Sequence, residues 1–506
     1  MPLNIEKVDF TVDEHIWGHR LYDEQLPHLT VLEFLNVLGA NRANPLANDL
    51  STDVRYAPQQ QIRLRGLLFN NPYIETIRER CNPDEDKWCD WMALFKKDAT
   101  GRDDLNMEYL RKSFFNFDDF AKALELLRSS SFEARSNKRW SSKFVFPFGP
   151  DALYEDLRID SGGASNDRRF FARTGELLYL MLSRATHGPT LGKKLVERLF
   201  EASAPMNRLV KVLQGEPQLA DTMKNIRQNY LPYTTHPRFN RMCDDWLAIL
   251  SRDIPTYDAL EHLIASAGLN LLLYFLECAN AHSGDAEPVE IICEIISREK
   301  TMVRTLSGKS YQAHEAVSER AVVSFIESIK LEPAWACALE STDPEGECLK
   351  LMRDRFQWPP TDCNDFDRER GDDLVRKLIE IAKQRHGQHF GKIHSTWSKA
   401  IGLSSRRLTR GNRYAPNDRL LKTLVVTVVD ERMQLDEFLH ELRRRYGIVI
   451  GDSEGAHLVK QNLVDQEALS ENRSNLEARL LGLGLLRRLS DSCSFVENPF
   501  ANEGKK

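Results

Sequence analysis

The sequence predicts a mainly α, multi-domain helical protein with small β elements and a C-terminal helix-turn-helix and winged-helix region. Three observations lead there. Between residues 168 and 340, apolar stripes at helical spacing follow one another, as in "RTGELLYLMLSRA", "FNRMCDDWLAILSRD" and "YDALEHLIASAGLNLLLYFLECA". The 506 residues exceed what one core holds, so about two to four domains are expected. Near the end, the patterns run helix, strand, helix, helix, hairpin, which is the order of a winged helix.

Residues 1–135 predict a mixed, mainly helical N-terminal domain. "LPHLTVLEFLNVLG" (26–39) and "FDDFAKALELLRSS" (117–130) carry its clearest helices, the second with Phe120, Ala123, Leu124 and Leu127 inward. Residues 136–356 predict a helical central domain that opens on a short aromatic strand. "RIDSGGASND" (158–167) reads as a polar loop. "LGKKLVERLFEA", "MNRLVKVLQG" and "VEIICEIISREK" read as further helices, and no fixed repeat length joins them. "RFQWPPTDCNDFDRERGDD" (355–373) is polar, contains Pro359-Pro360 and predicts a linker. A C-terminal region of helix-turn-helix plus winged-helix type is then expected over 372–506.

Apolar content of 42%, charged content of 28% and a net charge of −6 describe a globular chain without a uniformly basic coat. "MPLNIEKVDF" has no signal-peptide pattern. The most apolar run, Leu263–Leu276, is short of the roughly 20 residues of a membrane span and reads as a core helix. Nine cysteines without a repeated spacing fit a reducing cytoplasm. Cytoplasmic location and no membrane partner are expected.

The strongest functional signal is "KQRHGQHFGKIHSTWSKAIGLSSRRLTRGNR" (383–413), which holds eight Lys or Arg and no acid. Bases gathered on one surface attract phosphates through counterion release. Within it, "WSKAIGLSSRRLTR" (397–410) reads as the second half of a helix-turn-helix. Gly402 makes the turn, Leu403 plugs the core, and Ser404 or Ser405 caps a recognition helix carrying Arg406, Arg407 and Arg410. Lys399, Ser404, Ser405, Arg406, Arg407, Arg410 and Arg413 are the candidate nucleic-acid contacts. The alternative, less favoured, is a basic loop and helix on a solvated face. The turn resembles that of AraC-type regulators over about 14 residues.

A second basic stretch, "SNKRWSSKFVFPFGPDALYEDL" (136–157), interleaves Lys138, Arg139 and Lys143 with aromatics. A single-strand stacking platform needs exposed aromatics in a basic groove. Here acids follow directly, and Phe144, Phe146 and Phe148 alternate as on a half-buried edge strand. The structural strand is preferred, with the three bases left as phosphate contacts. In the winged unit, "LDEFLHELRRRYG", "AHLVKQNLVDQEAL" and "SNLEARLLG" read as its three helices and "LLRRLSDSCSFVEN" as its wing. Its third helix offers only Arg479, which Glu477 opposes.

No phosphate loop, dinucleotide fingerprint, zinc-protease or nucleophile-elbow motif is present. "PDEDK" (83–87) sets its acids and lysine in one turn, not on the neighbouring strands a nuclease metal needs, and reads as a solvated loop. His386, His389 and His394 lack an accompanying Cys or acid. Asp362, Asp365 and Asp367 lack the calcium-loop spacing. No catalytic residue, metal or cofactor is assigned.

Two pairs of passages carry a wider resemblance: "SNKRWSSKFVFPFGPDALYEDL" with "RRFFARTGELLYLMLSR", and "FLHELRRRYGIVIG" with "GLGLLRRLSDSCSFVENPF". They resemble accessory proteins of bacterial phage-defence operons of the methylation-associated type. The resemblance implies a role in antiviral defence and transfers no catalytic residue. The expected function is a non-enzymatic defence component that binds duplex DNA through its C-terminal region and docks other proteins of the same operon. Two alternatives stay open: an assembly subunit without DNA binding, and a nuclease-type effector lacking a recognisable motif.

Overall fold

The computed structural model describes residues 8–18, 25–47, 67, 71, 73–98, 107–129, 157–160, 163–166, 174–200, 205–215, 231, 233–284, 288–297, 301–360, 365–407, 410–490 and 493–501. The chain is mainly α with a few small sheets. The first part holds α1 (Val8–Trp17), α2 (Pro27–Ala40), α3 (Ile74–Arg78), α4 (Asp84–Asp98), α5 (Glu108–Ser113) and α6 (Phe117–Ser129). Helix α2 is apolar on nearly every side, and Leu29, Val31, Leu32, Phe34, Leu35, Val37 and Leu38 are all buried. Such a helix belongs inside a bundle. Trp88 and Trp91 of α4 meet Phe120 of α6 with ring centroids 5.1 and 4.9 Å apart.

The expected loop at 158–167 is instead a hairpin. Strand β1 (Leu157–Asp160) pairs antiparallel with β2 (Gly163–Asn166), with Ile159 opposite Ala164. Polar Gly-Ser text hides such a ribbon because its backbone, not an apolar stripe, makes the pairing.

Helices α7 (Thr174–Ser183), α8 (Gly188–Leu199), α9 (Pro205–Gln214), α10 (Pro237–Ser251) and α11 (Thr256–Ser283) follow. Helix α11 is the axis of the molecule. It is long and apolar enough to cross a membrane, but 89% of its most apolar window is buried inside the protein. It packs against α1, α2 and α10 on the N-terminal side, and against helices of the C-terminal part on the other.

The stretch "VEIICEIISREK", expected to be a helix, is not one. Ile291–Ile292 form strand β3, and the flanking described residues are in neither helix nor strand. The run is rich in β-branched Val and Ile, which suit a pleated chain. Then come α12 (Met302–Glu327), a 3-10 turn (Ser328–Leu331), α13 (Pro333–Leu339) and α14 (Pro344–Phe356). The polar stretch 355–373 is anchored where it is described. Trp358 is buried, and its ring meets Phe366 at 5.2 Å.

The last part contains α15 (Gly371–Gln388), α16 (Phe390–Ala400), β4 (Ser404–Arg407), β5 (Arg410–Tyr414), α17 (Asp418–Val428), β6 (Arg432–Gln434), α18 (Leu435–Tyr446), β7 (Ile448–Val449), α19 (Ala456–Lys460), α20 (Gln466–Gly482), β8 (Leu486–Ser490) and β9 (Cys493–Glu497). The three-stranded sheet has the order β6-β9-β8. The winged order is present but begins one helix earlier than the sequence suggested. Helix α17 is its first helix and β6 its first strand, while β7 pairs outside the sheet, parallel to β3. Residues 466–482 form one helix, not two. Ser474 Oγ donates to the Ser470 carbonyl at 3.0 Å inside this continuous helix.

One buried core cluster runs from Val12 to Val496 and spans the junction at 372. Gly447 permits part of that contact. It ends α18 with φ of 67°, and an added Cβ there would strike the Val289 carbonyl. A second contact ties α10, α11 and α18 together. Asn270 Nδ2 donates to Asp245 Oδ2 at 2.9 Å, and the Tyr446 hydroxyl faces the same carboxyl. Burial pushes the Asp245 pKa up to about 6, against the opposing pull of Asn270, Tyr446, Arg241 and Arg445.

Two outcomes are expected. Gly447→Ala should destabilise the chain by at least about 2 kcal/mol, because a left-handed conformation and a backbone clash add. An unchanged denaturation midpoint would refute that. Asp245→Asn tests the buried carboxyl. The folded protein holds the Asp245 proton up to about pH 6, whereas the unfolded chain releases it near pH 4. The wild type therefore loses stability as pH rises between those values, by up to about 3 kcal/mol. Melting of both proteins from pH 4 to pH 8 should show the gap shifting in the variant's favour up to a little above pH 6 and then levelling off. A pH-independent gap would contradict the assignment.

Candidate nucleic-acid interface

The acid-free run 383–413 folds as the end of α15, all of α16, and a two-stranded ribbon. The expected recognition helix is absent. Residues 404–407 are strand β4 and pair antiparallel with β5, with Ser404 opposite Tyr414, Ser405 opposite Arg413, Arg406 opposite Asn412, and Arg407 opposite Arg410. The turn before it is as expected. Gly402 adopts φ of 80°, Leu403 is buried, and the Leu403 amide donates to the Ser398 carbonyl at 2.8 Å. Beyond Leu403 the two strands carry no apolar stripe at helical spacing. A helix there would have nothing to bury.

The candidate residues therefore divide. Arg413 is not a surface cation: it is 4% exposed, and its Nε donates to Glu294. Glu294 also accepts from Arg304 Nε at 2.6 Å. Ser404 Oγ shares a hydrogen bond with Ser398 Oγ at 2.9 Å at the ribbon's root. Lys383 pairs with Glu319 at 2.7 Å. Lys399 and Arg406 are exposed and have no ion pair among the described residues. Arg407 and Arg410 occupy facing register positions at the far end. Lys138, Arg139 and Lys143, with the aromatic strand around them, lie outside the described residues.

The root of the ribbon is a buried polar network that the sequence did not reveal. The Tyr414 hydroxyl sits between His314 Nδ1 at 2.7 Å and His394 Nε2 at 2.8 Å. A hydroxyl has one proton, so it donates to one ring nitrogen and accepts from the N–H of the other. Burial lowers His314 to about 4 and His394 to about 3, the latter with a smaller contribution from His314. Both rings are thus neutral at ordinary pH. The Tyr414 carbonyl accepts from Ser307 Oγ at 2.8 Å and from the Glu294 amide at 2.9 Å.

His386 does not join His394. Its Nε2 meets Ser318 Oγ at 3.0 Å, and its ring stacks on Trp17 and Phe390. "PDEDK" is the start of α4, not a loop. Asp84 accepts from the Phe117 amide at 2.8 Å and from Trp88 Nε1 at 3.1 Å, and Lys87 Nζ donates to the Arg78 carbonyl at 2.9 Å. Asp367 lies 3.9 Å from Arg353, and Asp362 is outside the described residues.

Two other surfaces present charge differently. Helix α20 shows Glu467 and Glu471 to solvent, while Arg473 pairs with Asp436 and Arg479 with Asp418 at 2.7 Å. It offers phosphates no unpaired arginine. A cleft of about 680 Å³ lies among Arg238, Glu277, Glu290, His440, Arg443 and Arg444. Its guanidiniums are held by Glu277, Glu290 and Glu441, and they neighbour the carbonyl ends of α11 and α18. Cations are favoured at such ends, so these arginines complete the fold.

Residues 372–496 match the family model described as "Methylation-associated defense system protein MAD7". The match opens in α15 and closes in β9, so it takes in the ribbon and the winged unit. That similarity supports a place among the accessory proteins of a methylation-associated defence system. No curated protein and no solved structure matches the chain. The local likeness to AraC-type regulators stops at the Gly402 turn, because the following residues are strand.

The ribbon's anchor is open to test. Glu294→Gln removes a buried charge that faces two buried guanidiniums, and should cost about 3–5 kcal/mol. Adding Arg413→Met should recover part of that loss, since one uncompensated charge leaves with it. A double-mutant cycle by chemical denaturation reads the coupling. Additive losses would mean that the pair is not coupled.

Proposed function

We propose that the chain is a non-enzymatic, cytoplasmic component of a methylation-associated defence system that binds duplex DNA with the β4–β5 ribbon. One observation carries the reading: an antiparallel ribbon brings Arg406, Arg407 and Arg410 to adjoining register positions in a stretch of chain with no acid. The DNA major groove accepts a two-stranded ribbon as readily as a helix. A buried ionic and aromatic root fixes the direction of such an arm. Lys399 supplies a further exposed base at the end of α16. The partner proteins would belong to the same operon and dock elsewhere on the chain.

Full-length protein with Arg406→Ala and Arg410→Ala should bind duplex DNA more weakly. Each lost phosphate contact should lower the salt slope by about one unit, and each lost base contact should cost about 1–3 kcal/mol on specific sites only. The measurement is a titration of labelled duplex across a salt series, with a melting curve for each protein. Undiminished affinity in a folded variant would remove the DNA reading and leave an assembly subunit. Metal-dependent cleavage of the duplex would instead point to an effector enzyme.

A further inference from the structure

Helix α13 has the sequence "PAWACAL", with no polar residue among its seven. Trp335 and Ala338 point into the core. Pro333, Ala334, Ala336, Cys337 and Leu339 are exposed. Leu331, just before the helix, is 86% exposed. A surface helix ordinarily turns charged side chains outward. A continuous apolar outer face is the mark of a surface that something covers.

Charge sets the kind of cover. From Leu331 to Leu349 the chain has Glu332, Glu340, Asp343, Glu345 and Glu347 and no Lys, Arg or His. Two of the acids serve the fold: Glu332 pairs with Arg355, and Asp343 caps α14 by accepting from the Gly346 amide at 3.1 Å. Glu345 and Glu347 suit the first turn of α14. Glu340 is different. It caps the carbonyl end of α13, where a negative charge is unfavourable. Glu340, Glu345 and Glu347 are exposed and have no ion pair among the described residues.

We propose that α13 and its acidic rim form a docking surface for a partner protein, through a segment with apolar side chains flanked by lysine or arginine. The apolar side chains cover Leu331, Ala334 and Leu339, and the bases meet Glu340, Glu345 and Glu347. A second copy of this chain is disfavoured, because two such faces would set acid against acid. DNA is rejected for the same reason. The surface is separate from the ribbon and does not depend on the DNA reading.

The test uses full-length protein and two labelled helical peptides of equal length, one of leucine and lysine, the other of leucine and glutamate. The leucine–lysine peptide should bind and slow amide exchange over 331–349. Leu331→Ser with Leu339→Ser should weaken it by about tenfold or more. Glu340→Lys, Glu345→Lys and Glu347→Lys together should do the same and allow the leucine–glutamate peptide to bind. These positions are exposed, so melting curves should barely move. Lack of binding to the wild type, or equal binding to the charge-reversed protein, would overturn the proposal. So would a concentration-dependent dimer in sedimentation that Leu339→Ser abolishes, since a second copy would then own the face.

Discussion

Val289 to Ile295 is a short extended segment on which three parts of the molecule converge. Its Ile291 and Cys293 amides donate to the Gly447 and Val449 carbonyls, which joins it to the winged unit. Its Glu294 amide donates to the Tyr414 carbonyl, which joins it to the ribbon. Asn472 of α20 clamps it from a third side, accepting from the Ile295 amide and donating to the Cys293 and Ile450 carbonyls. Buried backbone groups must find partners. An extended chain in a helical protein has no partners of its own, so the three neighbours supply them. The ribbon and the winged unit are therefore oriented relative to each other by one strand of backbone.

The carboxylate on that segment has a second role. Glu294 lies between Arg304 of α12 and Arg413 of β5, all three buried. A buried ionic group of this kind adds little to stability compared with an apolar packing of the same shape. It does impose a geometry, because any displacement of the ribbon separates charges that water cannot reach. Tyr414 with His314 and His394 acts in the same direction through neutral hydrogen bonds. Arg407 and Arg410 pair in register at the described far end of the ribbon, while its root is fixed. That contrast suits an arm that must present charges at a set angle.

Charge is partitioned over the surface. The ribbon and the end of α16 carry bases without acids. The stretch Leu331–Leu349 carries acids without bases, between Lys330 and Lys350 at its two ends, and the exposed face of α20 carries Glu467 and Glu471. A net charge of −6 conceals this arrangement. A polyanion and a basic partner protein would be directed to different places on one molecule.

The helices α6 and α18 were legible in the sequence because each buries a stripe, which leaves its period in the order of residues, and α2 and α11 were legible as apolar runs too long for a strand. The left-handed turn at Gly402, the buried Leu403 and the wing hairpin were legible for similarly local reasons. The acid-free run was legible as composition. Its conformation was not, because Ser404–Tyr414 is held by pairing and by a root that includes His314 and Glu294, 100 and 119 residues away in the chain. The same limit explains the extended segment at Val289–Ile295, whose apolar residues suit helix or strand equally until Ile448 and Val449 stand beside them. It also explains Arg413, which composition counts as a surface base and tertiary structure places against Glu294. Local periodicity and turn chemistry are properties of neighbouring residues, and the sequence determines them. Which polar groups are buried together, and which bases remain free for a ligand, depends on contacts between distant residues, and only the folded chain decides them.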